Sequence, residues 1–537
     1  MKTQETTKGF AVLSIANLIV KVLSIIYVPF LITAIGDEGY GIYYAAYTVF
    51  VFIYIVTTTG IPTAISKQIS ELISLNDYKD AVKTFKIARA IMIIVGSLMT
   101  LLMLIFSKNL AVYVEYEKAN YAIMALAPTI LFSAVRSAYM GYYQGQDNMA
   151  PRAISQVIEQ IVNVVFSLFF AYLWVSYGLE MACMGATIGT PLGALVTMIY
   201  FMMYYSKHKK ITIPKNPDIK KIRRYSNKQL TGRLINYTVP ITTCWGLQYL
   251  GNFYETKILK LRLLLSGFSD SKSTALYGYL GKYTMLINVP VTVITSLSAA
   301  ILPLISRAAA LQSRDDIKEG VDYSFKTTFL IALPSAVGLM VLSKPIYVLL
   351  GRRFTLGYQL MTYGALALVL TSIIQIQTTI MQSIGRLYKT TFNMVIGIIA
   401  RLIIDFIIVP YTSINIYGAI IASYIGFLIT VILNNISIKR WTGIKFSLTE
   451  YMYKPVLASI FMGFCSLFSY YYLNKLFLII FGNYISNLLA VVIAVAIGVI
   501  SYGYFMVITG GIKKEDLSNL PNKMVKLIPG FFIARMK

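Results

Sequence analysis

Histidine occurs once in these 537 residues, as His208, and cysteine three times, as Cys183, Cys244 and Cys465. A single imidazole leaves no Ser-His-Asp set and no His-built metal site. Three thiols scattered this widely imply no disulfide framework. A phosphate-cradling loop is also missing: Gly278 to Lys282 looks superficially like one, but the spacing is wrong and no strand precedes it. The chain therefore carries no hydrolytic engine, and neither an enzymatic activity nor a bound cofactor is expected. Any transport would draw on an ion gradient, on the membrane potential, or on removal of cargo at the far side. Charge is scarce too, at 13% of residues, and acidic side chains number 22 against 48 Lys and Arg.

What fills the chain instead is apolar sequence, 57% of residues with a mean hydropathy of +0.68. That composition excludes an ordinary soluble domain. Apolar runs of about twenty residues recur along the whole length, each long enough to cross roughly 30 Å of hydrocarbon. We count about fourteen, and no ten-residue alternation suggests membrane strands. The expected fold is an all-α polytopic membrane protein. No cleavable signal is expected, because the first apolar run is long and contains Lys21.

The net charge of +26 is distributed by loop: about 34 of the 48 Lys and Arg fall in the termini and even-numbered loops. This asymmetry predicts cytoplasmic termini and a cytoplasmic linker at residues 206–233. The linker lacks aromatic interleaving, so anionic phospholipid headgroups are the expected contact and nucleic acid is not.

The sequence repeats weakly at an offset of about 240 residues. Ala125–Gly145 aligns without gaps on Ala365–Gly385, and Gly185-Ala186 matches Gly418-Ala419. GIPTAISK from Gly60 has its counterpart in ILPLISR from Ile301. An even helix count per repeat makes the two copies parallel, related by an axis along the membrane normal. The predicted organisation is a six-helix lobe over 1–205, the linker 206–233, a second six-helix lobe over 234–440, two further helices over 441–510, and a basic tail over 511–537.

Charges inside apolar runs are costly and mark pathways or partners. Here they are Lys21, Arg136, Glu159, Glu255, Lys257, Lys260, Lys282, Arg401 and Asp405. Arg136 lies in one run, then a polar turn with Gln144 and Arg152, then Glu159 and Gln160 in the next. Lys21, Arg136, Gln144, Arg152, Glu159, Gln160 and Lys282 are the candidate substrate-binding residues, with Arg136, Glu159 and Glu255 expected to face a central cavity. The glutamines serve equally well as interhelical contacts. Glu255 is a candidate for ion or proton coupling, or for a salt bridge to Lys282. Arg401 and Asp405, four apart, fit a structural ion pair, with Asp405 also a candidate for ion coupling. Lys260 and Lys257 are expected to snorkel toward the outer interface. An excess of buried cations suits an anionic cargo such as a pyrophosphate.

Four stretches, GIPTAISKQISE (60–71), residues 125–151, SQVIEQ (155–160) and residues 276–306, together resemble the polysaccharide flippase branch of the multidrug/oligosaccharidyl-lipid/polysaccharide exporter superfamily. Within it, the chain is similar to the stage V sporulation protein B group and to Gram-positive lipid II flippases. The resemblance implies fourteen helices in two lobes around a central cavity, and movement of undecaprenyl-pyrophosphate-linked saccharides to the outer leaflet of a bacterial cell membrane. Arg136, Gln144-Gly145 and Glu159-Gln160 match family patterns, Lys21 falls where a basic residue is common, and Glu255 stands where Asp is usual. Asn163 and Arg152 depart from the pattern. The competing expectations are a cation-coupled multidrug exporter of the same fold and a non-transporting scaffold for cell-envelope enzymes, which are themselves candidate partners.

Overall fold

The computed structural model describes residues 2–208, 225–351, 355–444 and 446–511. The core of the basic linker, 209–224, and the tail, 512–537, lie outside the described residues. Among the described residues there are helices and no strands. This follows from the solvent: within hydrocarbon each backbone group must be satisfied inside its own segment.

The first part of the chain comprises α1 (Lys2–Thr58), α2 (Gly60–Ser74), α3 (Tyr78–Ile105), α4 (Ser107–Tyr113), α5 (Asn120–Leu126), α6 (Pro128–Gln144), α7 (Ala150–Trp174), α8 (Leu179–Lys207), α9 (Asn227–Leu265) and α10 (Asp270–Ala310). There follow α11 (Arg314–Val341), α12 (Ser343–Leu349), α13 (Tyr358–Gly364), α14 (Ala367–Ser383), α15 (Leu387–Ile408), α16 (Tyr417–Thr442), α17 (Leu448–Leu478) and α18 (Asn483–Ile508). Eleven helical spans are long and apolar enough to cross a membrane, or twelve if the bent pair α13–α14 is one span. The expected fourteen are not reached on that test. One difference is α1, a continuous helical run that holds more than one expected span around a break at Gly36 (φ 73°). The other is α9, whose 39 residues are long enough but too polar to qualify.

The internal repeat is visible in the helices themselves. α3 and α11 are each 28 residues long and each N-capped by a side chain, Asp77 or Ser313. Each is followed by a seven-residue helix, α4 or α12. Then come a short helix, a break, and a 17-residue helix: α5–α6 in the first copy and α13–α14 in the second. Arg136 of α6 and Ile376 of α14 occupy equivalent positions, and both are buried.

The chain divides into two compact units, 1–281 with 402–416, and 282–401 with 417–537. This boundary differs from the expected one at the linker, since α9 and the start of α10 group with the first six-helix lobe. The reason is chemical. At the linker end, buried Asp80 accepts from the Tyr225 amide (2.6 Å), Lys83 donates to the Tyr225 carbonyl (3.0 Å), and buried Gln68 donates to the Leu230 carbonyl (3.3 Å). A capping box of Ser226 and Gln229 starts α9 beside them. The core on this side is aromatic: Phe85 packs against Tyr139, Tyr142 and Tyr205. Tyr139 and Tyr142 are buried and Tyr205 is half-buried.

Candidate substrate site in the first lobe

The site is built on a stripe of glycines. Gly185, Gly189 and Gly193 recur every four residues along one face of α8, and a Cβ on any of them would strike the backbone of α7. At Gly193 it would sit 2.8 Å from the Glu159 carbonyl oxygen, and at Gly185 2.5 Å from that of Phe170. The two helices therefore lie backbone to backbone, which is how membrane helices gain packing energy without a hydrophobic drive. Similarly, Gly141 of α6 and Gly145, the residue that caps it, press on α2, where added Cβ atoms would lie 2.8 Å from Pro62 O and 2.9 Å from Ser66 O.

This close packing brings side chains of three helices onto Arg136, which is 7% exposed. Its Nη1 donates to the Glu159 carboxylate on α7 in an ion pair, and to Thr197 Oγ1 on α8 at 3.2 Å. The Tyr54 hydroxyl of α1 reaches the same guanidinium. A second polar layer lies beside the first. Tyr47 of α1 hydrogen-bonds Thr190 of α8, Thr190 donates to Asn163 Oδ1 on α7 (3.2 Å), and Ser167 donates to the same oxygen (3.0 Å). Tyr47 and Tyr54, like Thr190 and Thr197, are seven apart, so each helix presents two side chains on one face about two turns apart.

Toward the polar turn, Arg152 donates to Gln144 Oε1 at 3.2 Å. Arg152 is close enough to Arg136 for the two cations to repel. The Nε atoms of Arg136 and Arg152 and Oε1 of Gln156 are buried without a hydrogen-bond partner among the described residues. The cluster thus holds two guanidiniums to one carboxylate and retains unused donors. Chemically, that is an environment for an oxyanion with several acceptor oxygens.

The structure joins Arg136 to Glu159 and Arg152 to Gln144, and places Gln160 half-buried on α7. Lys21 is half-buried on α1, and no ion pair to it is found among the described residues. Lys282 belongs to the second unit, fully buried, with Nζ donating to the Leu356 carbonyl at 3.4 Å. Glu255 is half-buried on α9; on α15, Asp405 is fully buried and Arg401 half-buried. Lys260 does not snorkel: it is 1% exposed and held by Asp270 (2.7 Å) and Thr274 (2.6 Å). A nearby carboxylate, absent from a snorkelling argument, makes its burial affordable. Lys257 lies over the Tyr113 ring, 3.7 Å from its centroid. No group of His, Cys, Asp and Glu suited to a metal occurs among the described residues.

Tyr47, Tyr54, Thr190 and Thr197 were not legible as site residues. The signal that could have found them is the glycine stripe on α8, which fixes the face on which both threonines lie.

The many apolar spans and the buried charge cluster define a polytopic membrane transporter frame. The chain belongs to the polysaccharide biosynthesis protein family, whose profile matches residues 6–309. It is 25% identical over 458 residues to stage V sporulation protein B of Bacillus subtilis (strain 168), covering 84% of this chain and 87% of that one. It is 23% identical over 461 residues to lipid II flippase MurJ of the same organism, covering 82% and 84%. Among solved structures, lipid II flippase MurJ in an inward closed conformation superposes with a TM-score of 0.67 at 18% identity, covering 92% of this chain and 98% of that one. The fold is that of this transporter.

Proposed function

We propose that the protein is a flippase for undecaprenyl-pyrophosphate-linked saccharides, moving lipid II or a polysaccharide repeat unit across the bacterial cell membrane by alternating access. The observation that carries this reading is the Arg136–Arg152 cluster, buried with one carboxylate and with guanidinium donors left unused. A pyrophosphate supplies the acceptors that such donors require, whereas an organic cation would be repelled. This weighs against a multidrug exporter. Buried, underneutralised cations are a costly addition to a scaffold that moves nothing. Lys21 and Lys282 extend the same preference for anionic cargo, and Gln144 and Gln160 are suited to sugar hydroxyls. The drive is proposed to be an ion gradient or the membrane potential, with Glu255 and Asp405 as the acidic groups available to it. Both termini are assigned to the cytoplasm, where the basic segments meet anionic headgroups and, within the same reading, cell-envelope synthesis enzymes.

The test is complementation of a strain depleted of its lipid II flippase, with the wild type, Arg136→Lys and Arg136→Gln expressed to equal membrane levels. Rescue by wild type, weak rescue by Lys and none by Gln supports the reading. Rescue by neither wild type nor variants, with raised drug resistance on expression, favours the exporter.

A further inference from the structure

The span that carries Arg136 is broken. α5 ends at Leu126, α6 begins at Pro128, and Ala127 lies between them. Pro128 has no amide hydrogen to give to the ladder, and the helix tightens across the break. The Ala127 amide bonds the Met124 carbonyl (3.3 Å) and the Ile130 amide bonds the Ala127 carbonyl (3.1 Å), each three residues back. The next bond is made through another helix. The Leu131 amide donates to Thr100 Oγ1 of α3 at 3.2 Å, and the Thr100 hydroxyl donates to the Ala127 carbonyl at 3.1 Å. One hydroxyl thus stands between an amide and the carbonyl four residues before it, an insertion that redirects a helix. Thr100 is buried, and Gly96, one turn earlier on the same face of α3, lets the two helices approach. A Cβ on Gly96 would lie 2.8 Å from Ala134 Cβ and 3.2 Å from Leu131 Cα.

The second repeat has the same device from a different source. Its broken span, α13–α14, bends by 55°. Tyr424 of α16 donates to the Tyr363 carbonyl at 2.6 Å and takes hydrogen bonds from the backbone at Leu366 and Ala367. Tyr283 donates to the Gly364 carbonyl at 2.9 Å. Tyr424 therefore stands between the Ala367 amide and the carbonyl four residues before it, as Thr100 does between Leu131 and Ala127. The position of α11 that corresponds to Thr100, in a helix of the same length, is Ala336. A hydroxyl on this helix is thus not demanded by the fold of the repeat. It occurs in the copy whose long half-helix bears Arg136, and not in the copy that bears Ile376.

We propose that Thr100 is a positioning residue for the substrate site: by holding the break open, it aims α6 so that the Arg136 guanidinium meets Glu159 and Thr197. Arg136 lies beyond Leu131 by roughly one and a half turns, so a tilt of about 10° at the break carries it by about 1 Å. A displacement of that size in a binding constellation can cost about a hundredfold in rate. Without the hydroxyl, the Leu131 amide and the Ala127 carbonyl bond each other, and α6 swings toward the line of α5. The inference rests on the flippase reading for its effect on transport, but not for its effect on the direction of α6.

Thr100→Val keeps the shape of the side chain and removes the hydroxyl, whereas Thr100→Ser keeps the hydroxyl. Two measurements on the full chain in proteoliposomes use this pair. Spin labels at Asp147→Cys, just past α6, and at Lys207→Cys, at the end of α8, report the direction of α6 without any cargo, with the three native cysteines replaced by alanine. The distance between them should change by about 2 Å or more in Thr100→Val and return in Thr100→Ser. Equal distances in Thr100→Val and wild type overturn the assignment. Flipping of lipid II should fall about tenfold or more in Thr100→Val and stay within about threefold of wild type in Thr100→Ser. On an Arg136→Lys background, Thr100→Val should cost less than about threefold further, because the two changes act at one point. A full loss on that background, or none in the otherwise wild-type chain, overturns the role. Should Thr100→Val not accumulate in the membrane, Thr100→Ala is measured in its place with the same expectations. If the wild type flips no lipid II, the flippase reading fails while the label distance still decides the role of Thr100.

Discussion

Glu159 neutralises Arg136 from the neighbouring helix while Thr197, on a third helix, holds the same guanidinium nitrogen. A buried cation held this way is costly to strand: breaking such a pair costs about 3–5 kcal/mol, whereas replacing both members by apolar residues can be neutral. Glu159→Ala should therefore lower the melting temperature in detergent more than Glu159→Gln. Arg136→Met/Glu159→Leu should recover most of that stability and still fail to complement. Complementation by the double variant would make the pair a structural fitting and remove it from the site.

Packing of α7 on α8 leaves no room for a methyl group at Gly189, where a Cβ would collide with Asn163 O and Ser167 Oγ. Gly189→Ala should cost about 1–3 kcal/mol through overpacking, read as loss of thermal stability. Gly267→Ala, at an open position with φ +86°, should cost only backbone strain. Equal losses at the two positions would show that α7 and α8 tolerate separation.

The second repeat offers the inverse experiment. Ile376 is fully buried where the first repeat has Arg136. Ile376→Arg places a cation there without a Glu159 equivalent, and should lower membrane expression sharply, by a cost of several kcal/mol. Ile376→Leu conserves volume and should be tolerated within about 1.5 kcal/mol.

Glu38 follows the break of α1 at Gly36 and Lys118 lies in the turn Glu117–Ala119, so this partly exposed pair sits at the ends of the apolar runs, where it can titrate. Burial works to raise the Glu38 pKa, but hydrogen bonds from Lys118 and Ser271 outweigh it, and the carboxyl ends below its ordinary range. Its contribution is complete above about pH 4.3 and is lost as pH falls through the depressed value. The Lys118 ammonium is raised, chiefly by its hydrogen bond to Glu38, with burial opposing. Its contribution is complete below about pH 10.4 and is lost as pH rises through the raised value. Exchange at residues 270–281 should therefore show no Glu38-linked change near neutrality and rise toward strong acid. Glu38→Gln should abolish that acid limb. An acid limb that persists in Glu38→Gln would assign it to another carboxylate.

Much of this architecture is legible in the sequence because membrane helices declare themselves by length and apolarity, and because the gap-free repeat carries over to α5–α6 and α13–α14. The Arg136–Glu159 pair is legible for a related reason, since each charge is conspicuous against apolar neighbours. Other features are silent. Tyr47 and Thr190 are ordinary membrane residues until the glycines of α8 bring them together. The allegiance of α9 to the first lobe depends on Asp80 reaching the Tyr225 amide across 145 residues, a contact no local pattern encodes. The burial of Lys260 is silent as well, because its partner, Asp270, lies across a turn whose geometry the sequence leaves open.

The glycine-to-backbone seam between α7 and α8 has a consequence for direction. Under the proposed alternating access, helices packed this closely would travel as a single plate, so that Glu159, Asn163, Thr190 and Thr197 would keep their mutual geometry whichever leaflet they faced. A cargo would meet the same chemistry from either side. A flippase so built would govern how fast cargo equilibrates, while the direction of net movement would be set by whatever consumes the cargo or by a gradient coupled to it.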